Sequence, residues 1–382
     1  MIDVLKKYPT ANDVKKKFQQ PERVEKREIE GAEATVVVLD TTLGPAVGGL
    51  RLGSYPNSRE AEEECFNLAR VMEYKWLILS KIVRVEDRQK LFSGGKAVIN
   101  DPYLSRTISE GNGSVVERAI DLGRLERLLA GFGKMVQEIG GVYYTAPDMN
   151  TDTEVMKIVR AATPYVKCSE RDPSPITAES ILVVMETLAN KKLYSDLDRL
   201  RIVIQGVGKV GRALARRIRE ESEDARLVLV DTDVKRGSRL AQELFCEYYP
   251  DDSKIDFKDV DIFSPNARSG ILDKAFVRRL KPNSVIVGAA NHQVKKEDEW
   301  FVYGKFKERG IIYAPDYVAN QGGICDVAFG DEGKSKQIIR RVGNLVLEIV
   351  NRAKATGEPT AVVADRICEE HYLEEVRRLS EI

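Results

Sequence analysis

An α/β fold in two domains is predicted by three features of the chain. Short apolar segments alternate with amphipathic helical ones over residues 201–314, a glycine-rich turn joins the first of these segments to the first helix, and Pro173-Ser174-Pro175 punctuates the chain ahead of them. Residues 1–150 carry strands and helices of their own, which makes them a separate α/β domain.

Taken in order, residues 34–39 read as an apolar strand, 44–53 as a glycine-containing run and 58–75 as a long amphipathic helix. A strand follows at 96–100, a helix near 115–139 and a strand-like stretch at 142–145. The proline punctuation then starts a helix at about 177–189. Strands at 201–205, 226–231, 260–264, 284–288 and 311–314 alternate with helices at 210–221 and 235–245, the pattern of a doubly wound parallel sheet. Residues 335–379 show two helical patterns broken at Thr356-Gly357-Glu358-Pro359, long enough to return to the first domain.

The turn itself, Gln205-Gly206-Val207-Gly208-Lys209-Val210-Gly211, has the Rossmann spacing. Gly206 permits the tight turn, Gly208 lets backbone approach a diphosphate and Gly211 lets helix pack on sheet, leaving the anion at a helix N-terminus. Asp231 lies twenty residues beyond Gly211, at the end of the next strand, where a carboxylate accepts hydrogen bonds from both ribose hydroxyls and repels a 2′-phosphate. NAD is therefore the favoured cofactor, with Lys235 and Arg236 near enough to leave NADP open. The competing reading is a tight turn that binds nothing.

Composition sets limits on the rest. With 43% hydrophobic and 31% charged residues, the 382-residue chain has ample core for a soluble globular protein. Sixty basic residues balance sixty acidic ones, so no overall field favours nucleic acid or an anionic membrane, and small metabolites fit better. Cys65, Cys168, Cys246, Cys325 and Cys368 form no C-x-x-C pair and read as reduced thiols of a cytoplasmic protein. Only His292 and His371 occur, so no metal site is expected. Met1 to Lys7 lacks the long apolar core expected of a signal peptide, and no stretch reaches the ~18 apolar residues of a membrane span.

Lys75 ends the amphipathic helix, Lys96 follows Ser93-Gly94-Gly95, and Asp148 follows Ala146-Pro147. Each has a bland alternative as surface charge or turn residue. Glycines before Lys96 let backbone approach a ligand, and a lysine at the head of a buried strand has its pKa lowered towards the range of a general base.

Residues 40–51 (DTTLGPAVGGLR), 72–75 (MEYK), 94–97 (GGKA), 145–151 (TAPDMNT), the glycine turn, 314–317 (APDY) with 320–323 (NQGG), and 359–366 (PTAVVADR) resemble successive motifs of the amino-acid dehydrogenases for glutamate, leucine, phenylalanine and valine, most of all the leucine dehydrogenases. The resemblance spans nearly the whole chain. It implies NAD-dependent oxidative deamination of an L-amino acid to a 2-oxo acid and ammonia. It further implies that Lys75 pairs with the substrate carboxylate, Lys96 activates water and Asp148 shuttles protons. Gly48 and Gly49 would supply backbone contact, and Thr177 and Asn291 would lie near the nicotinamide end of the cofactor. Glutamate-specific relatives place lysine where this chain has Val47, so Val47, Ala146, Ile324 and Val327 would line an apolar pocket, with core filler as the other reading of Val47. Residues 1–150, completed by about 335–382, would bind substrate and form a homo-oligomer, and 151–334 would bind NAD.

The chain departs from that pattern at residues 76–95, a longer and bulkier connector opening with Trp76, Leu77 and Ile78. Ser93 stands where glycine is usual, and His292 where the leucine type has asparagine. Either the connector bulges outward and spares the site, or it reshapes the site for another substrate, or it abolishes turnover. The last leaves an NAD-binding homologue with altered or lost dehydrogenase activity as the alternative function.

Overall fold

Small and β-branched residues in the first half build a five-stranded mixed sheet: β1 (Arg23–Ile29), β2 (Ala32–Val38), β3 (Ala46–Gly53), β4 (Ser93–Asn100) and β5 (Tyr143–Pro147), in the order β1-β2-β4-β3-β5. β2 is antiparallel to β1 and β4, while β3 runs parallel to β4 and β5. In this computed structural model the described residues are 1–109, 114–167, 172–193 and 195–381; Cys168 lies outside them. They form two compact units, Met1–Asp172 with Cys368–Ile382, and Pro173–Ile367.

Helices cover both faces of the first sheet. On one, Leu125, Leu128, Leu129 and Phe132 of α2 (Leu122–Ile139) bury Leu50, Leu52, Ile99 and Tyr143. On the other lies α1 (Ser58–Ile82), capped where Asn57 Oδ1 accepts the Glu60 N–H at 3.0 Å. The approach is close: a Cβ on Gly94 would stand 2.3 Å from the Glu73 nitrogen and 2.6 Å from the Ala69 oxygen. Gly94 therefore serves helix packing, where the sequence suggested approach to a ligand. A Cβ on Gly95 would likewise meet Tyr143 and Ala46 on the opposite face.

The connector is mostly helix. α1 continues past Lys75 through Trp76, Leu77, Ile78 and Leu79, all buried, to Ile82, and a 3-10 turn at Val85–Lys90 leads to β4. The helix expected near 115–139 starts only at Leu122, where Asp121 caps it by accepting the Arg124 N–H.

The second unit holds six strands: β6 (Arg201–Gln205), β7 (Arg226–Val230), β8 (Glu247–Tyr249), β9 (Ile262–Pro265), β10 (Val285–Ile286) and β11 (Ile312–Tyr313), ordered β11-β10-β9-β6-β7-β8. Every neighbouring pair is parallel, and the near-continuous apolar strands bury Val203, Val228, Phe263 and Ile286. The strand order reverses between β6 and β9, the switch point of a doubly wound sheet. α3 (Ser174–Leu188), α4 (Lys209–Glu221) and α5 (Val234–Leu244) flank it.

Of the two C-terminal helices, α6 (Glu332–Thr356) belongs wholly to the second unit. The return to the first unit is made by α7 (Thr360–Ser380), from Cys368 onward.

Candidate active site

Strand alternation gathers the candidate site residues of the first unit on the α1 face of its sheet. Register pairs Val47 with Gly94 and Tyr144, and Gly49 with Ala146, so Lys96, Val47, Gly49, Arg51, Tyr144 and Ala146 point to one side. Asp148, one residue past β5, joins them. Its carboxylate Oδ2 accepts from Lys96 Nζ at 2.7 Å and from Arg51 Nε at 3.0 Å. Arg51 Nη1 in turn donates to Glu64 Oε1 at 2.7 Å. The turn is held from below, because the Asp148 N–H donates to Thr151 Oγ1 at 2.7 Å and that hydroxyl donates to the Leu50 carbonyl at 2.7 Å.

The glycines here are explained by crowding. A Cβ on Gly49 would lie 2.7 Å from Asp148 Cβ, and one on Gly48 would lie 1.7 Å from the Gly95 carbonyl oxygen. Any larger residue at 49 would push Asp148 off Lys96. Lys75 is buried on α1, one residue before Trp76, whose indole N–H donates to the Val47 carbonyl.

One anion between two cations sets the electrostatics. Burial alone would raise the pKa of Asp148, but Lys96 and Arg51 outweigh it and hold the carboxyl well below the usual range. Lys96, only 2% exposed, has its pKa lowered, chiefly by burial and further by Arg51, with Asp148 only partly compensating. Arg51 remains charged, since Asp148 and Glu64 overcome its burial. Asp148 thus stays ionised while Lys96 sheds a proton more readily than an exposed lysine. The sequence assigns no role to Arg51 or Glu64; the signals for Arg51 are its place at the end of the 40–51 motif and a charge within an apolar strand.

In the second unit, the glycine turn follows β6 and opens α4. Gly206 sits at φ +90°, where a Cβ would stand 2.7 Å from the Ala267 nitrogen. A Cβ on Gly211 would lie 1.9 Å from the Gly206 oxygen, whereas Gly208 faces open space. No side chain caps α4; exposed Lys209 and half-buried Val210 form its first turn. Asp231 follows β7 and is buried, its Oδ2 accepting the Val207 N–H at 2.7 Å and its Oδ1 accepting from the Asp233 N–H and Arg236 Nη2.

The remaining expected residues also fall in this unit. Thr177 is buried near the start of α3 and donates to the Pro173 carbonyl. Asn291 follows β10 in the loop where Ala289 is tied to Asn266, one residue past β9, and its buried Oδ1 has no hydrogen-bond partner among the described residues. Ile324 and Val327 stand one turn apart on the helix Gly322–Phe329, the first buried and the second half-buried, while Val47 and Ala146 belong to the first unit.

A doubly wound sheet with a glycine turn, together with a buried lysine–aspartate pair in the other unit, has the form of a dehydrogenase. The family model for Glutamate/Leucine/Phenylalanine/Valine dehydrogenase matches residues 227–330. The chain is 33% identical over 362 residues to leucine dehydrogenase of Bacillus subtilis (strain 168), covering 91% of this chain and 89% of that protein. It is 32% identical over 354 residues to leucine dehydrogenase of Thermoactinomyces intermedius, covering 89% and 87%. The crystal structure of L-tryptophan dehydrogenase from Nostoc punctiforme superposes with a TM-score of 0.70 at 27% identity, over 96% of this chain and 99% of that one. The protein belongs to the Glutamate/Leucine/Phenylalanine/Valine dehydrogenase family and is an amino-acid dehydrogenase.

Such a dehydrogenase with a Rossmann sheet uses a nicotinamide dinucleotide, and the residues present fit one. The uncapped N-terminus of α4, the open space above Gly208 and the unpartnered buried Oδ1 of Asn291 are the features a diphosphate and a polar ring would engage. No described helix is long and apolar enough to cross a membrane.

Proposed function

We propose that the protein catalyses NAD-dependent oxidative deamination of an aliphatic or other apolar L-amino acid to its 2-oxo acid and ammonia, together with the reverse reductive amination. The observation that carries this reading is the 2.7 Å contact between buried Lys96 and half-buried Asp148 on the sheet face shared by Val47 and Ala146. The connector supports it, since residues 76–82 lengthen a helix and leave that pair in place.

Bound NAD supplies the acceptor for the hydride leaving the substrate Cα. Lys75 pairs with the α-carboxylate and so orients the Cα. Asp148 takes a proton from the substrate ammonium, which frees the nitrogen lone pair that drives hydride loss. Lys96, whose burial favours its neutral form, removes a proton from water as the oxygen adds to the imine carbon; the C–N bond then breaks as Asp148 returns a proton to the departing nitrogen and the new hydroxyl releases its proton to solvent. Gly48 and Gly49 offer backbone to the substrate, and the apolar side chains of Val47 and Ala146 in the first unit receive its side chain; Ile324 and Val327 of the second unit are the further apolar residues assigned to substrate preference.

Gly206, Gly208, Lys209, Val210 and Gly211 hold the diphosphate, Asp231 the adenosine ribose, and Thr177 and Asn291 the nicotinamide half. The ribose carboxylate favours NAD over NADP. The first unit serves substrate binding and assembly of a cytoplasmic homo-oligomer, and the second binds cofactor. The outer edge of β1 carries strand backbone that a second copy can cover.

Purified protein incubated with NAD and a panel of L-amino acids at alkaline pH tests the reading. Reduction of NAD with leucine, valine or phenylalanine but not glutamate, lost in Lys96→Ala, is the expected result. Intact NAD binding without turnover on any amino acid would overturn it.

A further inference from the structure

We propose that Arg51 is the positioning residue of the reacting pair, its guanidinium seating the Asp148 carboxylate so that Oδ2 is taken up by Lys96 and Arg51 while Oδ1 stays available to exchange a proton with the substrate nitrogen. The assignment rests on the proposed roles of Lys96 and Asp148. Three observations carry it. Both cations converge on a single oxygen, at 2.7 Å and 3.0 Å, and Oδ1 accepts no hydrogen bond among the described residues. Arg51 is itself fixed at its far end, where Nη1 meets Glu64 Oε1 at 2.7 Å on α1, and it is 8% exposed. A planar guanidinium held at two edges has a set orientation, which a flexible ammonium would not. Arg51 therefore transmits the position of α1 to the carboxylate that faces substrate.

Its charge has a second effect. Arg51 stabilises the Asp148 anion and at the same time disfavours the proton on Lys96, so one residue lowers both pKa values. Glu64 opposes it, since its negative charge offsets part of the guanidinium field. Tyr55, beside Arg51, is held neutral, its phenol pushed up to about 12 chiefly by burial. Among the described residues, the titratable groups facing Lys96 and Asp148 are thus Arg51, Glu64 behind it, and the Cys65 thiol of α1, which burial pushes up to about 12 and so keeps neutral.

The test compares kcat against pH for the intact protein, Arg51→Met, Arg51→Lys and Glu64→Gln, with NAD affinity and melting temperature measured in parallel. Arg51→Met should lower kcat about 100-fold through misplacement of the carboxylate. It should also move the acidic limb of the profile up by about one pH unit, because Lys96 and Asp148 both lose a neighbouring cation. Arg51→Lys should restore the limb but not kcat, and Glu64→Gln should move the limb the opposite way. NAD affinity should not change. A fall in kcat with an unmoved limb would overturn the proposal and reduce Arg51 to a structural role.

The titration of Lys96 followed by 13C NMR of lysine-labelled protein, assigned with Lys96→Ala, reads the same effect without turnover. A Lys96 pKa equal in Arg51→Met and the intact protein also overturns the proposal; should Arg51→Met fail to fold, an unshifted Lys96 in Glu64→Gln does the same. Absence of turnover in the intact protein, with Lys96 shifted as expected, would instead count against the proposed function alone.

Discussion

Trp76 donates its indole N–H to the carbonyl oxygen of Val47 at 3.3 Å and meets the Phe92 ring edge-on, centroids 5.2 Å apart. A residue of the atypical connector thus holds the backbone of the residue proposed to set substrate preference. Trp76→Phe keeps a ring but removes the donor, and should cost about 1 kcal/mol of stability. It should also change the ratio of kcat/KM between leucine and phenylalanine while leaving NAD affinity alone. Thermal melts and paired kinetics on the two substrates check this; an unchanged ratio would disconnect the connector from selectivity.

Glu73 is fully buried beside Asp40, and its Oε2 accepts the Gly94 N–H. Burial, reinforced by Asp40, pushes its carboxyl up to about 8. A carboxyl whose pKa is raised on folding contributes stability that is complete below the ordinary carboxylate range and is lost as pH rises through about 8. Stability of the intact protein should therefore decline between pH 5 and 9, and Glu73→Gln should flatten the decline. Asp148 acts in the opposite sense, since its depressed pKa withdraws stability only in acid. Urea unfolding across pH for both proteins separates the two; parallel curves would refute the assignment to Glu73.

Asp101 is completely buried, and its carboxylate receives Arg124 Nη1 at 2.7 Å and Nη2 at 2.9 Å. Among the described residues, Arg124→Met would leave that anion with the Tyr103 N–H and the Thr107 hydroxyl as its side-chain carboxylate's donors. The expected loss is about 3 kcal/mol, because the cost of a buried unpaired charge exceeds the worth of the pair. Chemical denaturation measures it, and a second change, Asp101→Asn, should recover part of the loss.

Two glycines of the turn, Gly206 and Gly208, should separate on substitution. Gly206→Ala meets both an unfavourable φ and the Ala267 backbone, and should destabilise by about 2 kcal/mol or more. Gly208→Ala meets no neighbouring atom and should leave stability within about 0.5 kcal/mol. Yet the new methyl group would occupy space the diphosphate needs, so NAD affinity should fall at least tenfold. Melting and fluorescence titration with NAD distinguish the two effects.

How far these features were legible in the sequence varies with their physical origin. The parallel sheet was readable because strands buried on both faces are continuous apolar runs, and 201–205 matches β6 residue for residue. β1 escaped notice because it has no apolar alternation: its half-buried face carries Arg23, Glu25 and Arg27 beside Ile29, while Val24 is exposed with Lys26 and Glu28 on the other. α1 was cut short at Lys75 because its later residues are apolar all round: Trp76 to Leu79 are all buried, and a helix covered on every side has no polar face to mark its period. Lys96 and Asp148 stood out by their glycine and proline neighbours. Arg51 did not, since its pairing with Asp148 spans 97 residues and leaves no local pattern.

The first unit is not contiguous in the chain. Its final piece begins at Cys368 and buries Glu369, His371, Tyr372, Leu373 and Val376. During synthesis the ribosome releases Met1–Asp172 long before that piece, and releases all of Pro173–Ile367 in between. The unit that holds Lys96 and Asp148 must therefore wait, incompletely covered, while the Rossmann unit has every residue it needs to fold first.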